Sequence, residues 1–284
     1  MTTRAPAQYV TSRPIGTALV TLIDDGLLRW NPELQAPVAE RHRAMPEAEA
    51  DGTLALGLHV AHIQLGGASI LVDTGYDDPS PAFARAHPNF TSSPGVLAGL
   101  HSIGVQPEDI THVLITHPHG DHFVAATVER DGVRVPRYPN ARYLLGRRDW
   151  EGNPARERPD SPLALHLGTI ARLGLLDLAA DDHEVVPGVA MIAAPGESPG
   201  HSIVRVASGE GRFFFLGDLF HHPCEVAHPD WASPGRDRDV LRTSREWLMA
   251  EAVATNATLA FTHGPFPAWG RIVPAAAGYR WERA

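Results

Sequence analysis

The sequence predicts a single α/β domain in which apolar strands carry polar side chains to one edge of a sheet. Its 284 residues are 43% hydrophobic, which suits a globular protein with a sizeable core. Several short apolar runs end in a histidine or an aspartate beside a glycine. Because no repeat or long linker divides the chain, we expect one domain over residues 1–284, with an extended arm at about residues 1–14.

Strands predominate in the first half of the chain. Over residues 15–28, Asp25 and Gly26 form a common hairpin-turn pair, which predicts a strand, a turn and a second strand. Further strands are expected at 54–60, 62–65, 68–72 and 112–116, and helices within 31–52 and over 93–104.

Strands and helices are both expected in the second half. The longest helix is expected over residues 237–254, where apolar residues recur at helical spacing. A second helix is expected over 163–173, and strands at 142–145, 185–194, 202–206, 212–216, 258–262 and 278–281.

The most informative segment is the run from His117 to His122, which follows a buried strand. Alternate residues of an extended chain face the same way, so His117 and His119 can hold one ion together. Asp121 and His122 follow Gly120 and can reach a second position. Imidazole and carboxylate groups suit zinc and similar divalent ions. A solvated histidine-rich loop is the alternative in a chain with 16 histidines, but the ordered spacing favours a metal site.

Three later segments repeat this pattern beside a glycine. They carry His201, Asp218 and His263. Taken singly, each would be an ordinary core, surface or turn residue. In open α/β sheets, however, the carboxyl ends of strands form the ligand-binding edge, so their recurrence predicts one shared site.

These motifs resemble the successive motifs of the metallo-β-lactamase-fold hydrolases. The matching stretches are His117-x-His119-x-Asp121-His122, Pro199-Gly200-His201-Ser202, Gly217-Asp218, Thr262-His263-Gly264 and the early Asp73-Thr74-Gly75. The resemblance spans about residues 15–281. It implies an α/β (α+β) fold, a four-layer αββα sandwich of two mixed β-sheets flanked by helices, with the metals at one edge.

The resemblance also implies a ligand set for two divalent ions. Asp218 would bridge both ions. Asp73 would not bind an ion itself but would contact the residues that do. The ions are expected to be Zn²⁺, although the same ligands accept Mn²⁺, Fe²⁺ or Co²⁺. The first ion would be held by His117, His119 and His201, and the second by Asp121, His122 and His263.

Such a site implies metal-assisted hydrolysis. A hydroxide bridging the two ions would attack a carbonyl carbon or phosphorus, and Asp121 would orient it or protonate the leaving group. Residues 216–223 resemble N-acyl homoserine lactonases and methyl parathion hydrolase-like members. The lactonases have a carbonyl-binding tyrosine where this chain has His221, which we expect to take that role. Candidate lining residues of the substrate pocket are Trp150, Phe220, His222, Phe266 and Trp269.

The expected function is therefore cleavage of a lactone, an ester or a related small-molecule bond. The alternatives are a thioesterase resembling glyoxalase II, an organophosphate triester hydrolase and a metal-bound small-molecule sensor without catalysis. The thioesterases add a C-terminal helical domain, whereas only a short segment follows His263. A persulfide dioxygenase would not need the complete second set of ligands.

Composition narrows the partners. The formal charge of −9 argues against binding of nucleic acid, which requires a basic surface. It therefore also argues against a ribonuclease-like activity. No apolar run approaches the ~18 residues of a membrane helix. Cys224 is the lone cysteine, so the chain has no internal disulfide, which fits a reducing compartment. We expect a cytoplasmic protein that acts on a small molecule, and a homodimer is compatible with this expectation.

Overall fold

Seventeen strands and nine α-helices lie within residues 8–78 and 80–284, the part of the chain that this computed structural model describes. The strands, in chain order, are β1 (Val10–Ile15), β2 (Ala18–Trp30), β3 (Leu54–Leu65), β4 (Ala68–Val72), β5 (Phe90–Ser92), β6 (His112–Ile115), β7 (Thr127–Arg130), β8 (Val133–Pro136), β9 (Arg142–Gly146), β10 (Leu176–Ala179), β11 (His183–Val186), β12 (Val189–Ala193), β13 (Ser202–Ser208), β14 (Gly211–Phe215), β15 (Thr258–Ala260), β16 (Trp269–Pro274) and β17 (Tyr279–Arg283). The helices are α1 (Val38–Ala44), α2 (Pro81–Ala86), α3 (Val96–Ser102), α4 (Gly120–Phe123), α5 (Arg147–Glu151), α6 (Pro162–Leu165), α7 (Leu167–Arg172), α8 (Cys224–Ala227) and α9 (Arg238–Ala254).

Two large mixed sheets contain most of the strands. The first has the order β1-β2-β3-β4-β6-β9-β10, with β5 also paired to β2, and the second runs from β11 to β17 in sequence order. Strands β4, β6, β9 and β10 are parallel neighbours, as are β14 and β15, and the other pairs within the two sheets are antiparallel. Parallel neighbours end at the same edge, so this topology gathers several strand ends together.

The sheets stack face to face, and helices cover their outer faces. Successive side chains of a strand point to opposite faces. Phe213 and Phe215 accordingly lie in the cluster shared with the first sheet, whereas Phe214 packs against α9. On the other side, Val113 and Ile115 pack under α3 and α7. This is the four-layer αββα sandwich of two mixed sheets, and the predicted fold is confirmed.

Helix α9 is amphipathic, and the structure identifies its buried face. The Asp237 side chain caps it by accepting a hydrogen bond from the Val240 N–H at 3.2 Å. Leu241 and Leu248 face the second sheet, whereas Val240 and Trp247, which share the apolar spacing, are 38% and 43% exposed. The face toward the sheet is therefore narrower than the apolar pattern suggested.

The predicted turn at Asp25 and Gly26 is wrong. Residues 18–30 form one continuous strand, β2, and its register shifts between Asp24 and Gly26 where it pairs with β3. A Cβ at Gly26 would lie 2.5 Å from the Thr91 carbonyl oxygen of β5. Glycine is needed here for close approach of another strand within a bulge, and this tertiary contact overrides the local turn preference.

Two other expectations are refined. The predicted helix over 163–173 is divided into α6 and α7. Residues 10–14 of the predicted arm belong to β1 and pair with β2, and residues 1–7 lie outside the described residues. The single domain over 1–284 stays a prediction. Among the residues described, no helix combines the length and apolarity needed to cross a membrane.

We predict that His62 makes folding sensitive to mild acid. Burial lowers its pKa from 6.5 to about 4, and its Nε2 lies 2.8 Å from Ser69 Oγ. Between pH 6.5 and about 4, His62 is protonated in the unfolded chain but neutral in the folded chain. The free energy of unfolding therefore decreases as the pH is lowered through this range. Between pH 7 and 5 the wild type should lose about 2 kcal/mol more than His62→Gln in urea unfolding. The same pH slope in both proteins would contradict this, and exposed His183→Gln is the control.

Candidate metal centre

The strand ends bring all seven predicted ligands to one edge between the two sheets. Asp218 and His263 follow β14 and β15, His117 follows β6, and His201 ends the loop from β12 to β13. His119 and Asp121 are partly exposed, whereas the other five are buried. The edge is therefore a buried site with an opening on the side of these two residues.

The carboxylate of Asp218 lies at the centre of the site. Its Oδ1 is 3.2 Å from His122 Nε2 and 3.1 Å from His263 Nε2. Asp121 Oδ2 is 3.7 Å from each of these two nitrogens. These atoms form the second predicted metal position.

The other carboxylate oxygen of Asp218 faces the first position. Oδ2 lies 3.4 Å from His117 Nε2, and that nitrogen is 2.7 Å from His119 Nδ1. The ligand atoms of His117, His119 and Asp218 lie within 4.8 Å of one another, and a Glu197 oxygen joins this group. The first position thus contains a carboxylate that the motifs did not assign.

His201 reaches the site but stands apart from the groups of clustered ligand atoms found among the described residues. Its ring centroid is 5.1 Å from that of His117. Its Nε2 accepts the Asp218 N–H at 3.1 Å, and its Nδ1 lies 3.0 Å from the Ala194 carbonyl oxygen. Its assignment as a ligand of the first ion stays a prediction.

The donor set fits divalent metal ions. Buried polar atoms are normally hydrogen-bonded, but His122 Nε2 and Asp218 Oδ1 have no hydrogen-bond partner. Ligand atoms at about 2.1 Å from one tetrahedral ion lie roughly 3.4 Å apart, close to the spacing of these atoms. A cation between them would bond to both orphaned atoms.

Groups behind the ligands fix the orientation of the imidazoles. His122 Nδ1 lies 2.8 Å from Asp73 Oδ2, and Asp73 also accepts the Thr116 N–H and hydroxyl. His263 Nδ1 lies 2.9 Å from the Gly57 carbonyl oxygen. A proton on Nδ1 leaves Nε2 as the free donor to a metal, which is the usual role of such outer partners. Asp73 thus contacts the ring nitrogen of His122 that faces away from Asp218, and its supporting role at a metal site stays a prediction.

The electrostatics centre on the same carboxylate. Burial opposes ionisation, but His263, His122 and His117 hold the pKa of Asp218 well below its usual range. Burial likewise opposes charge on His221, but Glu197 and Asp218 raise its pKa to about 9. His221 Nε2 is 3.3 Å from Asp218 Oδ2, so the predicted carbonyl-binding residue does reach the centre.

Two of the aromatic residues predicted for the substrate pocket lie in the core instead. Phe220 is fully buried and packs with the cluster under α9, with the Arg245 guanidinium 5.0 Å from its ring centroid. Trp269 is 1% exposed and contacts Phe213 between the sheets. Trp269 follows strand alternation in β16, whereas Phe220 lies in the turn after β14, and the core buries the large apolar surface of both.

The other candidates lie nearer the surface. Trp150 packs against the cluster on the first sheet, and the Phe266 ring centroid is 5.4 Å from that of His59. His222 Nε2 lies 2.6 Å from Glu47 Oε1. None of these contacts joins them to the clustered ligand atoms.

Sequence reasoning missed two residues at the site. Glu197 lies 3.5 Å from His119 Nδ1, and Trp30 has its ring centroid 5.3 Å from that of His221. Glu197 precedes His201 in the same loop, so its nearness in sequence to a predicted ligand was a signal. Trp30 ends a strand distant in sequence, and nothing local to it indicated the contact.

Comparison with known proteins agrees with this geometry. The family model of the metallo-beta-lactamase superfamily matches residues 60–263. A probable metallo-hydrolase of Mycobacterium bovis is 23% identical over 214 residues, which is 67% of this chain and 66% of that protein. An N-acyl homoserine lactonase of Bacillus cereus is 28% identical over 157 residues, 52% of this chain and 57% of that protein. The matches thus span about two thirds or less of these relatives.

Solved structures show the same fold over nearly the whole chain. AidC, a dizinc quorum-quenching lactonase in complex with its product, superposes with a TM-score of 0.78 at 21% identity and covers 97% of both chains. The hydrolase AbOPH of the beta lactamase superfamily gives the same TM-score, identity and coverage. At this identity the likeness concerns the fold.

We predict that Asp73→Asn weakens metal binding at the second position. The change removes the carboxylate charge that contacts His122 Nδ1. Asparagine tolerates the left-handed backbone conformation of residue 73, where φ is 60°. Loss of such an outer partner typically weakens metal affinity about 10- to 100-fold. Competition with a chromophoric chelator measures the change, and Asp181→Asn, at a side chain 80% exposed, is the control. An unchanged affinity in Asp73→Asn would refute this role.

Proposed function

The chain belongs to the metallo-beta-lactamase superfamily, as its motifs predicted, and from that premise we propose a metal-dependent hydrolase with a two-ion centre. Its substrate is a small molecule with a lactone or a related ester bond. The observation that carries the proposal is the Asp218 carboxylate, which turns one oxygen to each of two clusters of ligand atoms. A single-ion site would not need both clusters.

The donor types support zinc as the resident metal. Imidazole nitrogens outnumber carboxylates in the proposed set, and zinc accepts both. We assign His117, His119 and His201 to the first ion and Asp121, His122 and His263 to the second, with Asp218 shared. When bound, two such ions supply Lewis acidity, which lowers the pKa of water to about 7 and polarises a carbonyl oxygen.

The partly exposed Asp121 faces the opening of the site. Its Oδ2 is 3.7 Å from both His122 Nε2 and His263 Nε2, so it lies beside the second position. A carboxylate there can orient a nucleophile or pass a proton to the leaving alkoxide. We propose this role for Asp121.

His221 is held in place to donate a hydrogen bond to the substrate carbonyl oxygen. The Glu225 carboxylate accepts the backbone N–H groups of His221 and His222, and it is paired with Arg245 Nη2 at 2.7 Å. This ion pair is fully buried, so it fixes the loop without competing water. Trp30 packs beside the imidazole and offers an apolar wall for the substrate.

A lactone or ester is favoured over the other bonds by the position of His221, which corresponds to the carbonyl-binding tyrosine of the lactonases. The names of the relatives, metallo-hydrolase and N-acyl homoserine lactonase, agree with it. Phosphotriester and thioester hydrolysis are the competing activities.

We predict that His119→Ala abolishes metal loading at the first position and reduces hydrolysis at least about 100-fold. Elemental analysis measures the metal content, and initial rates on a panel of a lactone, an aryl ester, a thioester and a phosphotriester measure activity. The control is His183→Gln on the exposed side of β11. Full metal content with wild-type rates in His119→Ala would refute the mechanism, and preference for the phosphotriester or thioester would refute the substrate class.

We predict that His221→Phe lowers kcat about 100-fold while both ions stay bound, because it removes one donor to the developing oxyanion. A fall in metal content would instead identify His221 as a ligand, since one of its ring nitrogens lies within 4.8 Å of ligand atoms of Asp218 and His263. Metal analysis beside steady-state kinetics separates these outcomes.

A further inference from the structure

Glu197 is a buried carboxylate at the first metal position that the motifs leave unassigned. It lies in the loop between β12 and β13, and the residue is 4% exposed. Its Oε2 has no hydrogen-bond partner. A buried carboxylate is energetically costly unless it is paired or bound to a metal. The burial of Glu197 beside the predicted metal ligands therefore indicates that a cation compensates its charge.

The position of Glu197 is that of a ligand. Its Oε1 lies 3.5 Å from His119 Nδ1, about the spacing expected of two atoms bound to one ion. Its ligand atom lies within 4.8 Å of those of His117, His119 and Asp218. His221 Nε2 is 3.9 Å from the same Oε1, so the carboxylate points toward the centre.

The loop is built to hold this direction. The buried Asp149 accepts the Ser198 hydroxyl at 2.6 Å and the Gly200 N–H at 2.7 Å. Gly196 has a φ of 126°, and a Cβ there would lie 2.3 Å from Leu241 Cα in α9. Only glycine lets the loop pack this closely, so the backbone on both sides of Glu197 is fixed.

Arg236 provides the outer partner that a ligating carboxylate commonly has. Its Nη2 lies 2.5 Å from Glu197 Oε1, and its side chain is 20% exposed. An ion pair alone could account for the burial of Glu197. It would not account for the placement of the carboxylate against His119, nor for the second oxygen that has no hydrogen bond.

We propose that Glu197 is a direct ligand of the first ion, which adds a carboxylate to the predicted set of His117, His119, His201 and Asp218. This inference rests on the proposed two-ion function. Glu197 has an oxygen without a hydrogen-bond partner, which is available to bind the ion beside these four residues. The first position is thus richer in carboxylate than the family motifs indicate.

The test is Co²⁺ binding to the full-length apoprotein of wild type and Glu197→Gln. Affinities for the two ions come from competition with a chelator, and the absorption of bound Co²⁺ reports on its ligands. We expect Glu197→Gln to bind one ion at least about 10-fold more weakly, with altered absorption for that ion and an unchanged affinity for the other. The matched control is Glu47→Gln, because Glu47 also contacts a histidine near the site but has a side chain 55% exposed.

Glu197→Asp separates ligation from charge, since it keeps the carboxylate but shortens its reach. We expect it to weaken the same ion. Wild-type behaviour of Glu197→Asp, or wild-type affinities and absorption in Glu197→Gln, would overturn the proposal. A retained second ion shows that each variant is folded. Wild-type protein that binds one ion only, or none, would overturn the two-ion function as well, whereas a loss confined to Glu197 variants leaves that function standing.

Discussion

The rest of the structure depends on one buried carboxylate, that of Asp218, and on the imidazoles that surround it. The Nε2 atoms of His117, His122, His221 and His263 lie 3.4, 3.2, 3.3 and 3.1 Å from its oxygens. Removing such a charge from water is costly unless cations or strong hydrogen bonds replace the lost solvation. The buried carboxylate therefore requires compensating positive charge nearby, which the two proposed metal ions would supply.

Backbone contacts between the two sheets keep these groups together. The Ser202 N–H donates to the Thr116 carbonyl at 2.9 Å, and the His59 N–H donates to the Thr262 carbonyl at 3.1 Å. Each bond links a segment of one sheet to a segment of the other beside a ligand. Gly217 adds a steric condition, because its φ is 51° and a Cβ there would lie 2.8 Å from His201 Nε2. A small shift of the backbone at this edge would displace several ligand atoms together. The geometry of the site therefore depends on the packing of the two sheets.

Particular residues show how far sequence reasoning reached. The spacing from His117 to His122 identified a metal site because ligand chemistry and strand alternation are local properties. Phe213 to Phe215 predicted a strand, and the structure explains the unbroken apolar run by burial of both faces. Gly26 misled the prediction, since its strand pairs on both sides. Phe220 misled it as well, because an aromatic residue near a ligand can serve the core as readily as a pocket.

The sequence by itself determined the donor types, their grouping at strand ends, the αββα class and the family. These follow from residue chemistry, from periodicity and from motif spacing, all of which are readable along the chain. Only the tertiary structure decided which atoms meet. It brought Glu197 beside His119 and Trp30 beside His221, and it set His201 apart from the clustered ligand atoms. The physical reason is that contacts between distant segments are selected by burial and by packing of the two sheets, and no local pattern records them.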